Sequence, residues 1–75
     1  MSVELHYDGA IFELDPAQSD EYWIDYIEKE RTRARFVPEG MTTSIDLADG
    51  RRAHIWLRST TPIALVAPRE AFDEP

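Results

Sequence analysis

Apolar and polar residues alternate at the start of the chain, where Glu4 and His6 separate Val3, Leu5 and Tyr7. A period of two is the mark of a half-buried strand, whose successive side chains point to opposite faces. Asp8-Gly9 follows, a pair that suits a two-residue type I′ turn because both turn positions need positive φ. Folding about that turn sets Tyr7 opposite Ala10, Leu5 opposite Phe12 and Val3 opposite Leu14, with all six on one face. The other face then carries Glu4 across from Glu13 and His6 across from Ile11.

The period next lengthens to that of a helix. Trp23, Ile27 and Ala34 lie on one line of a helical wheel, flanked by Ile24 on one side and by Tyr22 and Tyr26 on the other. Asp15 is the expected cap, Pro16 suits the first helical position, and Gln18 completes a spacing like that of a capping box. The helix is expected to end near Arg35, because Pro38 disfavours helical geometry in the residue before it and Gly40 follows. Asp20, Glu21 and Asp25 near its start, and Lys29, Arg31, Arg33 and Arg35 near its end, complement the helix dipole.

Alternation returns in Ile45 and Leu47, and again in Ala53, Ile55 and Leu57. A two-residue Asp49-Gly50 turn between them pairs Ile45 with His54 and throws the apolar sets onto opposite faces. A three-residue turn, with Gly50 in the left-handed position, pairs Ile45 with Ala53 and Thr43 with Ile55. Only the second register keeps one apolar face, so it is the one expected. Ser59-Thr60-Thr61-Pro62 reads as a further turn, Ile63 to Ala67 as a short buried strand, and residues 69–75 as a frayed tail.

The resulting order is ββαβββ, an α+β fold with one antiparallel sheet and a single helix packed across one face. The second face of the sheet carries His6, Ile11, His54 and Trp56, and no element remains to cover it. An uncovered, half-apolar face on so small a domain usually meets something.

Length and composition sharpen this picture. A chain of 75 residues supports one domain, spanning residues 1–75, and buries only about 60–65% of the surface it exposes when unfolded. It has no cysteine, hence no disulfide staple and no thiolate metal site. Self-association or docking on a partner is one way to bury the remaining apolar surface. No stretch approaches the roughly 18 apolar residues of a membrane span. The Met1-Ser2-Val3-Glu4 start lacks the basic, then apolar, character of a signal peptide. A cytoplasmic protein without a membrane partner is expected.

The net charge is -7, and it is unevenly spread. Residues 1–30 hold nine acids and one base, whereas residues 31–58 hold six arginines and three acids. An acidic field of this kind repels nucleic acid and favours encounters with basic partners. Nucleic acid is therefore not the favoured partner.

Candidate chemistry is sparse. Nucleophilic catalysis needs a nucleophile positioned by a histidine and an acid, and the two histidines, His6 and His54, both fall in expected strands. A metal site needs about three converging ligands; His6, His54 and Asp46 are the available set, at no recognisable ligand spacing. Glycine-rich phosphate cradles are missing. No catalytic residue, cofactor site or metal site is assigned, and the chain is expected not to be an enzyme.

Two surface groups remain. Tyr22, Tyr26 and Asp25 on the helix edge, together with Ile11, His54 and Trp56 on the sheet, form the candidate protein interface. Arg51, Arg52 and Arg58 on the central hairpin form an alternative patch for phosphate or nucleic acid. The expected function is that of a small acidic, non-enzymatic interaction module, docking on a protein partner or forming a homo-oligomer. A phage-type inhibitor whose acidic helix imitates the phosphate spacing of DNA is one concrete version.

Overall fold

Asp8 and Gly9 both take positive φ, 47° and 90°, and the first hairpin closes about them in the register that the alternation dictates. The structure, a computed structural model, describes residues 3–72. Strand β1 (Glu4–Tyr7) pairs antiparallel with β2 (Ala10–Glu13), Tyr7 facing Ala10 and Leu5 facing Phe12. Beyond the ladder, the Leu14 amide donates to the Val3 carbonyl at 2.8 Å.

The helix α1 (Asp20–Ala34) starts later than expected. Ser19, not Asp15, is its N-cap: the Ser19 hydroxyl accepts the Tyr22 amide at 3.0 Å. The Asp15 carboxylate instead accepts the Ala17 amide at 2.9 Å, two residues on, and its carbonyl accepts the Gln18 amide at 3.3 Å. Asp-Pro serves the opening of a turn as well as it serves a helix start. A local carboxylate-to-backbone bond therefore wins there, and the indole Nε1 of Trp23 locks the turn by donating to the Asp15 carbonyl at 2.9 Å. The C-terminal end falls at Ala34, with Arg35 as the cap, where the Pro38 and Gly40 signals place it.

Strands β3 (Met41–Asp46) and β4 (Arg52–Leu57) pair with Ile45 opposite Ala53 and Thr43 opposite Ile55, the three-residue-turn register. Gly50 holds φ 90° at the end of that turn. Strand β5 (Ile63–Val66) returns beside β1, with Leu65 opposite Leu5.

The α+β class, the element order and the antiparallel pairing all stand, but the strands divide between two sheets. One has the order β2-β1-β5, and the other is the β3-β4 hairpin. Where the hairpins meet, a single bridge joins Leu14 to Leu47, supported by the Ala48 amide on the Glu13 carbonyl and the Asp15 amide on the Asp46 carbonyl. The seam goes no further because both chains leave it at once, one into the Asp15–Gln18 turn and the other into the Ala48–Gly50 turn.

One core spans both sheets. Val3, Leu5 and Leu14 from the first hairpin meet Ile45, Leu47, Ile55 and Leu57 from the second, and Trp23, Ile27 and Ala34 of α1 lie across them. Full burial of each large aliphatic side chain contributes about 1.5–3 kcal/mol. The tail expected to fray begins with one turn of 3-10 helix, Arg69–Ala71. Residues 73–75 of that tail lie outside the described residues.

One buried residue breaks the apolar stripe of α1. Glu30 is buried, 8% exposed, and its carboxylate accepts the Thr43 hydroxyl at 2.7 Å and Arg33 at 2.9 Å. The Tyr26 hydroxyl lies 2.9 Å from the same Thr43 oxygen and donates to the Ser44 carbonyl at 2.8 Å. The Thr43–Glu30 and Tyr26–Ser44 hydrogen bonds, made by two hydroxyls in contact, thus fasten the helix to β3. Among the described residues no buried side-chain nitrogen or oxygen lacks a partner.

Candidate functional site

The inward turn of Leu5, Tyr7, Ile55 and Leu57 fixes what faces outward. Strand alternation puts His6, Ile11 and Ala64 in one row across the three-stranded sheet, and His54 and Trp56 on the outer face of β4. Ile11 is 61% exposed and Trp56 69%. These two apolar side chains stand in water on separate sheets, Ile11 on the three-stranded sheet and Trp56 on the β3–β4 hairpin, so the single uncovered face expected from sequence is split in two.

Trp56 is exposed but firmly seated. Its strand pairs with β3 through Thr42 opposite, and the Tyr7 hydroxyl holds its backbone from the other side. That hydroxyl donates to the Trp56 carbonyl at 2.7 Å and accepts the Trp56 amide at 3.2 Å. Both backbone groups of Trp56, which point to the open edge of β4, are thereby satisfied by a side chain from the other sheet. A depression of about 260 Å³ lies beside the indole, lined by Glu39, Gly40, Met41, Leu57 and Arg58. Tyr7 was not among the residues singled out from sequence; its place on an inward stripe hides a hydroxyl that reaches past the core.

The helix-edge members of the candidate interface lie elsewhere. Tyr22, 44% exposed, stacks on Tyr26 with ring centres 6.1 Å apart, and both meet Trp23 edge-on. Tyr26 spends its hydroxyl proton on the Ser44 carbonyl, so its role is to anchor the helix. Asp25 pairs with Lys29 at 3.0 Å on the solvent side. Tyr22 and Tyr26 border a depression of about 210 Å³ whose far wall is Ser44, Asp46 and Arg52. The six candidate interface residues thus fall into three places: Ile11 on the three-stranded sheet, His54 and Trp56 on β4, and Tyr22, Asp25 and Tyr26 on the helix edge.

The arginine patch is largely self-neutralised. Arg51 is bound to Asp49 at 2.7 Å and Arg52 to Asp46 at 2.8 Å. The bond to Asp46 raises the Arg52 pKa, and the Arg51 amide and guanidinium hold the Asp49 carboxyl below its ordinary range. The backbone amide of Arg58 donates to Thr61. A phosphate has to compete with a carboxylate already in place at two of the three arginines.

The histidines do not meet. His6 contacts Glu4 at 3.2 Å on one sheet, and His54 lies 3.3 Å from the Ser44 hydroxyl on the other. The Ser44–His54 pair sits on an exposed strand face, where flanking backbone donors serve the β3–β4 ladder instead of a developing oxyanion. Asp46, the third ligand candidate, is bound to Arg52, and among the described residues no group of three or more His, Cys, Asp or Glu is placed to hold a metal ion. No helix among the described residues is long and apolar enough to cross a membrane. Compared with known proteins, the chain matches no family model, no curated protein and no solved structure.

Proposed function

We propose that this chain is a non-enzymatic protein-interaction module that docks through the outer strand face bearing Trp56. The observation that carries the reading is a tryptophan 69% exposed on a backbone pinned from both sides. Exposed tryptophan on a rigid platform combines large contact area with little ordering cost, the character of an interface hot spot. His54 on the same strand supplies polar contacts around it.

The partner's chemistry follows from charge. The net charge of -7 steers the module toward a basic protein at long range, while Arg58 and Glu39 beside the indole supply charges of both signs at the contact itself. Phosphate or nucleic-acid binding by Arg51, Arg52 and Arg58 draws less support, because Asp49 and Asp46 already occupy two of them.

Affinity capture from host lysate with wild type and Trp56→Ala side by side tests the reading. One stoichiometric protein, released by salt and lost from the folded Trp56→Ala variant, supports it. Identical capture by both forms defeats it.

A further inference from the structure

Among the described residues, strand β5 closes one side of the three-stranded sheet, with β1 as its single neighbour. The two-residue turn makes Tyr7–Ala10 a hydrogen-bonded pair, so Leu5 and Tyr7 turn their backbone groups toward β2, and Glu4 and His6 toward β5. Ala64 and Val66 answer His6 and Glu4. The backbone groups of Ile63 and Leu65 consequently point to the free edge.

The side chains at that edge are also incompletely covered. Ile63 and Leu65 face the core side, opposite Tyr7 and Leu5, yet both are only half-buried. Beside them runs a groove of about 460 Å³, walled by Ile63, Ala64 and Leu65 on one side and by Ile24, Ile27 and Phe72 on the other. Three consecutive strand residues line it although their side chains alternate, so the groove follows the strand's edge. Protected edges carry lysine, proline or a bulge; Ile63-Ala64-Leu65-Val66 carries no charge and no proline.

We infer that this edge takes a second copy of the chain, β5 pairing antiparallel with β5 of its partner about a two-fold axis. This surface is distinct from the Trp56 face, and either can operate without the other. A two-fold edge contact is self-complementary. Centred on Ala64, it sets Ile63 of each copy opposite Leu65 of the other, on one face, and fills both grooves with aliphatic side chains.

Charge selects the same arrangement. An axis perpendicular to the joined sheet also places the two α1 helices antiparallel on one face. Each α1 carries Asp20 and Glu21 in its first turn and Arg31 and Arg33 in its last, so each acidic end lies toward the other copy's basic end. Glu28 and Arg31, 3.7 Å apart within one chain, both line the groove and exchange partners across the axis.

Sedimentation velocity and a single cysteine test the inference, since the chain has no cysteine of its own. Wild type is expected at twice its 8.7 kDa, and Ala64→Cys is expected to form a disulfide-linked dimer under mild oxidation. At the axis the two residues form a non-hydrogen-bonded pair with Cα atoms about 4.5 Å apart, within disulfide reach. Ile11→Cys, exposed on the same face two strands away, stays unlinked. Glu28→Arg or Arg31→Glu weakens the dimer about tenfold, and the double reversal restores it. A wild type of 8.7 kDa at every concentration, equal cross-linking at Ile11→Cys, or a double reversal no better than the singles overturns the inference. Trp56→Ala leaves the dimer intact, which separates this result from any failure of docking.

Discussion

The Tyr7 hydroxyl lies 2.7 Å from the carbonyl oxygen of Trp56 and joins the two sheets on the side away from their shared bridge. Without it, the outer edge of β4 relies on water at that point. Tyr7→Phe is expected to destabilise the fold by about 0.5–1.5 kcal/mol, the net worth of a hydrogen bond that water can partly replace. Hydrogen exchange at the Trp56 amide reads the contact directly. Exchange as slow in Tyr7→Phe as in wild type rules out this role for the hydroxyl.

Glu30, Thr43 and Tyr26 act as one unit between helix and sheet. Thr43→Val removes the hydroxyl that donates to a buried carboxylate, and a loss of about 1–3 kcal/mol is expected. The losses in Tyr26→Phe and Thr43→Val are not additive: a double-mutant cycle by chemical denaturation should give a coupling of about 0.5 kcal/mol or more. Strict additivity means that the two hydroxyls contribute separately.

Gly40 and Gly50 both hold φ 90°, yet their surroundings differ. A Cβ at Gly40 lies 3.1 Å from the Leu57 carbonyl oxygen and 3.0 Å from Arg58 Cγ, whereas one at Gly50 meets nothing within 4 Å. Gly50→Ala carries the left-handed penalty alone, about 1 kcal/mol. Gly40→Ala adds a backbone clash and should lower the melting temperature further. Equal melting temperatures for the two variants contradict the crowding at Gly40.

Asp49 bears on acid stability. Its carboxyl titrates below the ordinary range, chiefly through the Arg51 backbone amide and next through the guanidinium. A folded-state value below the unfolded one means that folding favours the ionised form. Its contribution is complete above the unfolded pKa and is lost as pH falls through the lower folded value. Asp49→Asn is expected to flatten that part of the stability-versus-pH curve, and carboxyl NMR of the wild type should place the Asp49 midpoint below that of a model peptide. A midpoint at the peptide value refutes the claim.

Ser19→Ala is expected to cost about 1 kcal/mol, the usual loss of a helix N-cap. Asp15→Ala disturbs the preceding turn and leaves the first turn of α1 intact. Helical protection that begins at the same residue in Ser19→Ala as in wild type excludes Ser19 as the cap.

That pair of residues shows where the chain was readable in advance. Both hairpin registers were legible because a one-residue slip moves an entire apolar set to the wrong face, leaving one tolerable pairing for each turn. The helix start was not, because Asp-Pro encodes a turn and a cap equally well and Ser19 competes four residues later. The division into two sheets depends on how two turns diverge after Leu14 and Leu47, which no local pattern records. Glu30 is not singled out by the sequence reading, although it falls on the line of Trp23, Ile27 and Ala34. Thr43 likewise interrupts the inward set of β3, and one polar residue on each of two facing apolar stripes is a signal that the two are partners. Ile11 and Trp56 were legible as surface residues because their neighbours could not share their face. The Tyr7 hydroxyl behind Trp56 was not, since the contact joins strands from separate sheets.

The two tryptophans occupy opposite environments, Trp23 at 3% exposure and Trp56 at 69%. Trp23 sits between tyrosine rings and hydrogen-bonds through its indole nitrogen, while the Trp56 ring is open to a quencher. Each is therefore a separate optical reporter: the shielded indole follows unfolding, and the solvent-facing one follows arrival of a partner. With Trp56→Phe and Trp23→Phe proteins in hand, iodide quenching and emission wavelength can follow integrity and occupancy independently, in one cuvette and without a dye.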